Sequence, residues 1–386
     1  MVFEDIEMKI GILTYFRNYN PGAFLQAYEL SQTLKSRYPD HEVEIINFQM
    51  YREKVFMRNI FKEMVITFSA FDILGIYKYH RAIRKLPLST HRIESDEIGA
   101  LGAFIDHTYD VVIIGSDELW KTNGYRGFPT PFWLNYSFEK CKKCSFSPSS
   151  RCDMSEMNDE QKKVIRRCIS ELDFVGVRDG KTYSELVKVV PEKLKDMNIV
   201  CDPTFLGEYG FEKQKCKERI KKHFKIPAGK KILTTVLHNE DLIRIIKRQY
   251  KDEYFVLSLS DESDFTDANW LNVDPLEWIK IIAGSDFVVT QSFHCSVFSM
   301  IHSVPFLGID YSEHGKVSYL LESNGLSDNL LVGSDWEVEK DFLVRMESVR
   351  EKDIDGKQIV QRERSKADPF WQYMDKLIMQ NGGNRE

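Results

Sequence analysis

Four short polar stretches each follow an apolar run, and each carries side chains suited to a small polar ligand. The first to consider is Thr290-Gln291-Ser292-Phe293-His294-Cys295-Ser296, after Asp286–Val289. An imidazole titrates near neutral pH, so His294 can donate a proton in one step and hold an oxyanion in another; a structural histidine beside an apolar stretch is the competing reading. Thr290 or Ser292 suits the cap of a following helix. Cys295 invites a Cys–His nucleophile, but the next residue on the same helix start points elsewhere. The second stretch is Gly115-Ser116-Asp117-Glu118-Leu119-Trp120. Ser116 and Asp117 project polar atoms from a strand end, and Asp117 either accepts hydrogen bonds or acts as a base, or else caps the next helix. Trp120 reads as core, with a sugar platform as the alternative. The third is Val175-Gly176-Val177-Arg178-Asp179, where Arg178 can grip a carboxylate or phosphate through paired hydrogen bonds or form a salt bridge to Asp179 or Asp202. The fourth is the turn Asn18 to Ala23. There Gly22 permits close backbone approach, and a helix start offers N–H groups to an anion; a plain strand-to-helix turn is the competing reading.

These stretches need strands and helices to place them. Lys9–Tyr15 reads as a buried parallel strand, Ala23–Lys35 as a helix and Glu42–Phe48 as the next strand, the opening of a doubly wound α/β fold. Further strands are expected at 109–114, 143–147, 174–178 and 198–201, with helices at 159–170 and 182–190. Gly207–Lys230, rich in Lys and Glu and ending in Pro227-Ala228-Gly229, reads as the linker and entry to a second domain. A second α/β pattern follows: strands at 231–236, 254–259, 286–290 and 304–309, and helices at 240–248, 276–283 and 292–301. The expected division is residues 1–206, 207–340 and a charged helical tail, 341–386. Ligands of open α/β sheets bind outside the carboxyl ends of the strands, where all four stretches fall. Two successive domains of this kind suggest a cleft between them.

Composition narrows the function classes. A chain of 386 residues suits two domains. Its net charge of −6 provides no basic field for nucleic acid, so an anionic substrate needs a local basic site. Seven scattered cysteines, an odd number, argue for a reducing compartment and against a disulfide framework. Cys141 and Cys144 form a CxxC with no second ligand pair at zinc spacing. The acidic start, Met1–Met8, is too short for a signal peptide, and no apolar run is long enough to span a membrane. The aromatic-rich segment Val55–Tyr79 reads as amphipathic helices packed on the first domain; the sharper alternative is an interfacial patch in which Phe56, Ile60, Phe61, Phe68 and Phe71 touch lipid. There is no P-loop, GxGxxG or HExxH, which leaves kinase, nicotinamide dehydrogenase and zincin readings without a motif.

Taken in order, the motifs resemble those of the polysaccharide pyruvyl transferase family. Asn20-Pro21-Gly22-Ala23-Phe24-Leu25-Gln26-Ala27-Tyr28 is similar to N-Y-G-A-x-L-Q-A-Y, and Tyr109–Trp120 to Y-D-x-x-I-x-G-S-D-x-x-W. Val177-Arg178-Asp179 resembles V-R-E, Cys201-Asp202-Pro203-Thr204 resembles L-D-P-T, and Thr290–Ser296 with Val304-Pro305-Phe306 resembles T-D-S-F-H-G-x followed by x-P-F. The resemblance implies two Rossmann-like domains in a GT-B-like arrangement. It implies a cytoplasmic transferase at the inner face of the membrane, without cofactor or metal. The donor would be phosphoenolpyruvate, the acceptor a glycan or lipid-linked oligosaccharide, and the product a pyruvyl ketal. His294 and Asp117 become the catalytic candidates. Arg178, Ser292, Asn20, Gly22 and Ser116 become substrate-binding candidates. Ser292 stands where studied members carry arginine, and Arg17, Lys121 or Lys181 could supply the cation instead. Two other readings stay open: a GT-B-type glycosyltransferase using a nucleotide sugar, and a non-catalytic glycan-binding member.

Overall fold

The computed structural model describes residues 8–383 apart from 18, 65–69, 123–125, 151, 272, 313–314 and 334–338. The chain forms two compact units. One comprises Met1–Ala70, Arg81–Gly207 and Glu363–Glu386; the other comprises Phe71–His80 and Glu208–Arg362.

The amino-terminal half runs β1 (Lys9–Leu13), α1 (Pro21–Arg37), β2 (Glu42–Ile45), β3 (Phe48–Gln49), α2 (Tyr51–Met64) and α3 (Ala70–Ile83). It continues through β4 (Ile93–Glu94), α4 (Ile98–Thr108), β5 (Val111–Ile114), β6 (Lys142–Ser145), α5 (Asp159–Ser170), β7 (Phe174–Val177), α6 (Gly180–Val189) and β8 (Met197–Ile199). Six strands make one sheet in the order β2-β1-β5-β6-β7-β8. All its pairings are parallel; Ile12, for example, faces Ile45 on one side and Ile113 on the other. Parallel strands require crossover connections, which here are mostly helical. The apolar strands are buried because helices cover such sheets: every residue of β5 and β7 is buried.

The strand expected at Glu42–Phe48 breaks after Ile45. The Phe48 N–H turns back to the Ile46 carbonyl at 2.7 Å, and β3 leaves the main sheet to pair with β4. Asn47 sits at this break, with its N–H on Ser89 Oγ at 2.9 Å. An apolar run alone does not reveal which sheet its last residues join. Trp120 is fully buried and stacks on Trp133 at 5.3 Å, as its reading as core anticipates.

The second half runs α7 (Lys213–Phe224), β9 (Lys231–Val236), α8 (Glu240–Tyr250), β10 (Tyr254–Ser258), β11 (Ala268–Asn269), α9 (Pro275–Gly284), β12 (Phe287–Thr290) and α10 (Phe293–Ile301). It ends with β13 (Phe306–Asp310), α11 (Lys316–Ser323), β14 (Leu330–Val332), α12 (Glu339–Val349), α13 (Gly356–Ser365) and α14 (Asp368–Gly383). Its sheet is again six-stranded and parallel, in the order β11-β10-β9-β12-β13-β14. The segment expected to be a linker holds α7. That helix buries only Cys216 and Ile220, too sparse a stripe to read through its charges. It packs closely on α9, where a Cβ at Gly284 would stand 2.8 Å from the backbone of Cys216 and Lys217.

The charged tail divides between the units. Phe342, Met346 and Val349 of α12 join the core of the second. Phe370 of α14 packs on Phe146 and Phe174 in the first, with ring centroids 4.8 and 5.5 Å away. Of the aromatic-rich segment, α2 and α3 are described and Phe56 is exposed; the side chains of Ile60, Phe61, Phe68 and Phe71 lie outside the described residues. No helix among the described residues is long and apolar enough to cross a membrane.

Candidate functional site

In an open parallel sheet the crevice forms where strand order reverses. In the first unit that place lies between β1 and β5. The loops leaving these strands are tied together: Thr14 Oγ1 donates to the Ser116 carbonyl at 3.0 Å. A Cβ at Gly115 would meet Thr14 Cβ at 2.9 Å, so glycine permits this approach. Asp117 has φ 90°, a left-handed conformation rare outside glycine. Ser147, after β6, has φ 64°. The two turns hold each other, since Ser149 N–H donates to the Asp117 carbonyl at 2.8 Å and Trp120 N–H to the Ser149 carbonyl at 3.2 Å. No helix begins after Asp117, which removes the capping alternative; its Oδ1 accepts from Glu118 N–H at 2.8 Å. Non-glycine residues held at positive φ concentrate where function over-determines the backbone. The Ser116 and Ser147 hydroxyls are buried and have no hydrogen-bond partner among the described residues.

Arg178 follows β7 and is buried. Its Nη2 donates to Ser149 Oγ at 2.5 Å, and Nη1 lies 3.5 Å from Asp202 Oδ2. Asp202 also accepts from Gln26 Nε2, from Thr204 N–H at 3.1 Å and from Thr204 Oγ1 at 2.6 Å. Asp179 caps α6 by accepting from Thr182 N–H at 2.7 Å. Burial opposes the charge on Arg178, but Asp202, Asp179, Asp117 and Glu118 outweigh it and raise the guanidinium pKa. The cation is therefore fixed and enclosed by carboxylates, the salt-bridge alternative set out for it above. Lys121 is held too, by Glu118 at 2.8 Å. At the first turn of α1, Asn20 Oδ1 accepts from the N–H groups of Gly22 at 2.9 Å and Ala23 at 3.4 Å. The helix start is thus capped from within. Asp117 and Arg178 share one network through Ser149, and α1 reaches it through Gln26 on Asp202.

In the second unit the strand order reverses between β9 and β12, and the His294 stretch follows β12. Thr290 Oγ1 accepts from Ser292 N–H at 2.9 Å, and Ser292 Oγ caps α10 by accepting from Cys295 N–H at 3.4 Å. His294 lies in the first turn of α10, buried to 8 % exposure and edge-on to the Phe293 ring at 5.2 Å. Two neighbours went unnoticed in the sequence. Tyr311, after β13, donates its hydroxyl to Gln291 Oε1 at 2.6 Å. His238, after β9, flanks the same reversal point and pairs with Asp261, Nδ1 to Oδ2 at 2.5 Å. Tyr311 is the first residue after β13 and His238 the second after β9, and only the strand order makes those positions meaningful. Cys295 is fully buried, which pushes its thiol up to about 12; a thiol so protonated is a poor nucleophile. We expect Cys295→Ala to keep turnover within about twofold of the parent, and iodoacetamide at neutral pH to leave Cys295 unlabelled by peptide mass mapping. Rapid labelling with loss of turnover would restore the Cys–His reading.

All seven cysteines are free and buried. No group of His, Cys, Asp and Glu among the described residues is arranged to hold a metal ion.

Residues 20–313 match the family model described as polysaccharide pyruvyl transferase. The chain belongs to that family. The matched region contains every strand-end motif described above except the loop immediately following β1. No curated protein matches the chain. Among solved structures, the chain is similar to the UDP-GlcNAc 2-epimerase of Neisseria meningitidis bound to UDP-GlcNAc, with TM-score 0.54 and 9% identity over 96% of this chain and 100% of that one. It is similar also to the UDP-GlcNAc 2-epimerase of Methanocaldococcus jannaschii, with TM-score 0.53 and 12% identity over 93% and 99%. HepE of Anabaena in complex with UDP and glucose gives TM-score 0.53 and 11% identity over 96% and 99%. At such identities the likeness shows the fold alone, that of GT-B proteins.

Proposed function

We propose that this family member transfers the pyruvyl group of phosphoenolpyruvate to two hydroxyls of one sugar in a surface glycan precursor. The observation that carries the reading is the family match across residues 20–313, which includes a buried histidine at the strand-order reversal of the second unit. The chemistry asks little of a protein beyond placed proton donors and acceptors. A sugar hydroxyl oxygen bonds to C2 of the enol phosphate and gives up its proton to the acceptor-side base, while His294 delivers a proton to C3, giving a tetrahedral adduct that still carries phosphate. The C2–O bond to phosphate then breaks, a second sugar hydroxyl bonds to C2 and passes its proton to the departing phosphate, and the ketal and inorganic phosphate result.

Asp117 is assigned to the acceptor as hydrogen-bond acceptor and base, with the Ser116 hydroxyl beside it. Carboxylates recognise sugar hydroxyls well, and the surplus of carboxylates around Arg178 suits a neutral sugar better than an anionic donor. Arg178 is given a positioning part, holding Ser149 and with it the turn that fixes Asp117. Ser292 sets the start of α10 and so the height of His294. The acceptor is proposed to be lipid-linked and met at the cytoplasmic face of the membrane.

Incubating the full chain with phosphoenolpyruvate and glycosyl diphosphate acceptors tests this directly. Phosphorus NMR is expected to show inorganic phosphate appearing only when both are present, with a pyruvyl ketal on the sugar by mass. Release of a nucleoside diphosphate from a nucleotide sugar instead would establish the glycosyltransferase reading. Saturable glycan binding with no turnover of either donor would establish the non-catalytic one.

A further inference from the structure

The loop leaving β1 carries a cation whose surroundings differ from those of every other site residue. Arg17 is half-buried, with its ring-facing side on Phe16, the guanidinium carbon 4.7 Å from the ring centroid. Its Nη2 donates to Asn47 Oδ1 at 2.5 Å, a neutral acceptor. Its Nε is buried and has no partner among the described residues, and no carboxylate among them lies within ion-pair distance of it. Burial, with the nearby charge of Arg92, lowers its pKa, and Glu94 only partly offsets this.

The break between β2 and β3 builds this corner. Ile93 N–H donates to the Asn47 carbonyl at 3.0 Å, which sets Arg92 beside the side chain that receives Arg17. Arg92 and Lys54 both pair with Glu94, which reaches Arg17 only through space, so one carboxylate is shared among three cations. A desolvated guanidinium normally has a charged partner, because an uncompensated buried charge is costly. Arg178 follows that rule with Asp202; Arg17 has no carboxylate in ion-pair contact among the described residues. Within one unit the strand-end loops are thus divided by sign, carboxylate-rich around Arg178 and cation-rich around Arg17.

We propose that Arg17, with Arg92 and Lys54, forms an oxyanion-binding site that takes a phosphate or carboxylate of a substrate. The rule for guanidinium recognition fits, since a planar fork with free N–H groups grips oxyanions bidentately. Two substrates of the reading above could bring such a group: the donor, with its phosphate and carboxylate, or the diphosphate of a lipid-linked acceptor. The site rests on that reading only for which of them it is.

The test is equilibrium binding by calorimetry on the full chain, with phosphoenolpyruvate and with inorganic pyrophosphate standing for the acceptor's diphosphate. Arg17→Gln is expected to raise Kd by about ten- to a hundredfold, the loss of one charged hydrogen-bonding group, and Arg17→Lys by less. Asn47→Asp gives a second variant that keeps Arg17 in place and hands it a carboxylate; it too should weaken binding, while circular dichroism shows the fold retained. An effect on phosphoenolpyruvate alone assigns the site to the donor, and on pyrophosphate alone to the acceptor. Unchanged Kd for both probes in Arg17→Gln and Asn47→Asp overturns the site, as does failure of both probes to bind the parent chain. If the parent releases phosphate from phosphoenolpyruvate yet neither variant changes binding, this inference fails and the proposed function stands. If the variants weaken pyrophosphate binding while no pyruvyl transfer occurs, the site stands and the function fails.

Discussion

His294→Gln is expected to lower phosphoenolpyruvate-dependent phosphate release by about 10²–10⁴-fold, the usual contribution of a positioned general acid. Glutamine retains a hydrogen-bonding tip of similar reach but cannot supply a proton to C3. Binding of donor and acceptor should change far less than turnover, since the group acts on charge that develops in the transition state. The first turn of α10 is capped by Ser292 through the Cys295 N–H and flanked by buried residues on both sides, so the fold has local support that does not depend on the imidazole. Circular dichroism and melting of the variant check this. A variant that keeps its fold and more than about a tenth of parental turnover would remove His294 from the proton-transfer role. His238, the other imidazole beside the strand-order reversal, would then be tested in the same way.

A second large effect is expected on stability. Asp202 is buried, with 3 % exposure, and receives Arg178, Gln26 and Thr204 together. Asp202→Ala should destabilise the first unit by roughly 3–5 kcal/mol, because the enclosed guanidinium loses its facing carboxylate while its burial persists. Urea unfolding followed by tryptophan fluorescence reads this, with Trp120 and Trp133 stacked in the same unit. The double variant Arg178→Met with Asp202→Leu should lose much less than the two single variants together, since apolar replacement of both partners removes the desolvation cost as well. Loss of less than about 1 kcal/mol in Asp202→Ala would mean that Arg178 is held by other groups. The substrate contact first expected of Arg178 would then regain its force.

The contrast between Arg178 and Arg17 shows why residue type at a strand end is a weak guide to role. Both follow buried strands, and both are guanidinium groups that an anion would attract. Their difference lies in partners that come from elsewhere in the chain: Asp202 for one, Asn47 for the other. Neither partner is near its arginine in sequence, so no local pattern separates an enclosed ion pair from a cation held by a neutral side chain. Gly22 illustrates the same point on a smaller scale. Its place at a helix start is visible in the residues, but only the fold shows the Asn20 side chain already on its N–H.

What the residues alone determined is the alternation of short apolar runs with amphipathic helices, and hence the doubly wound α/β class. The expected strand at 231–236 matches β9, and the expected helices at 159–170 and 276–283 match α5 and, within a residue at each end, α9. These elements are legible because burial on both faces writes itself as continuous apolar sequence, and helix starts as capping residues. The family resemblance was legible for a related reason, as strand ends carry the polar turns that a ligand site needs. The tertiary structure decided the rest: the split of Glu42–Phe48 between two sheets, the helix hidden in the charged stretch 213–224, and the order of strands that gives His294 and Asp117 their places. Strand order and ion pairing are set by contacts between distant segments, whose energies depend on what else is buried beside them, and that information is absent from any window of the chain.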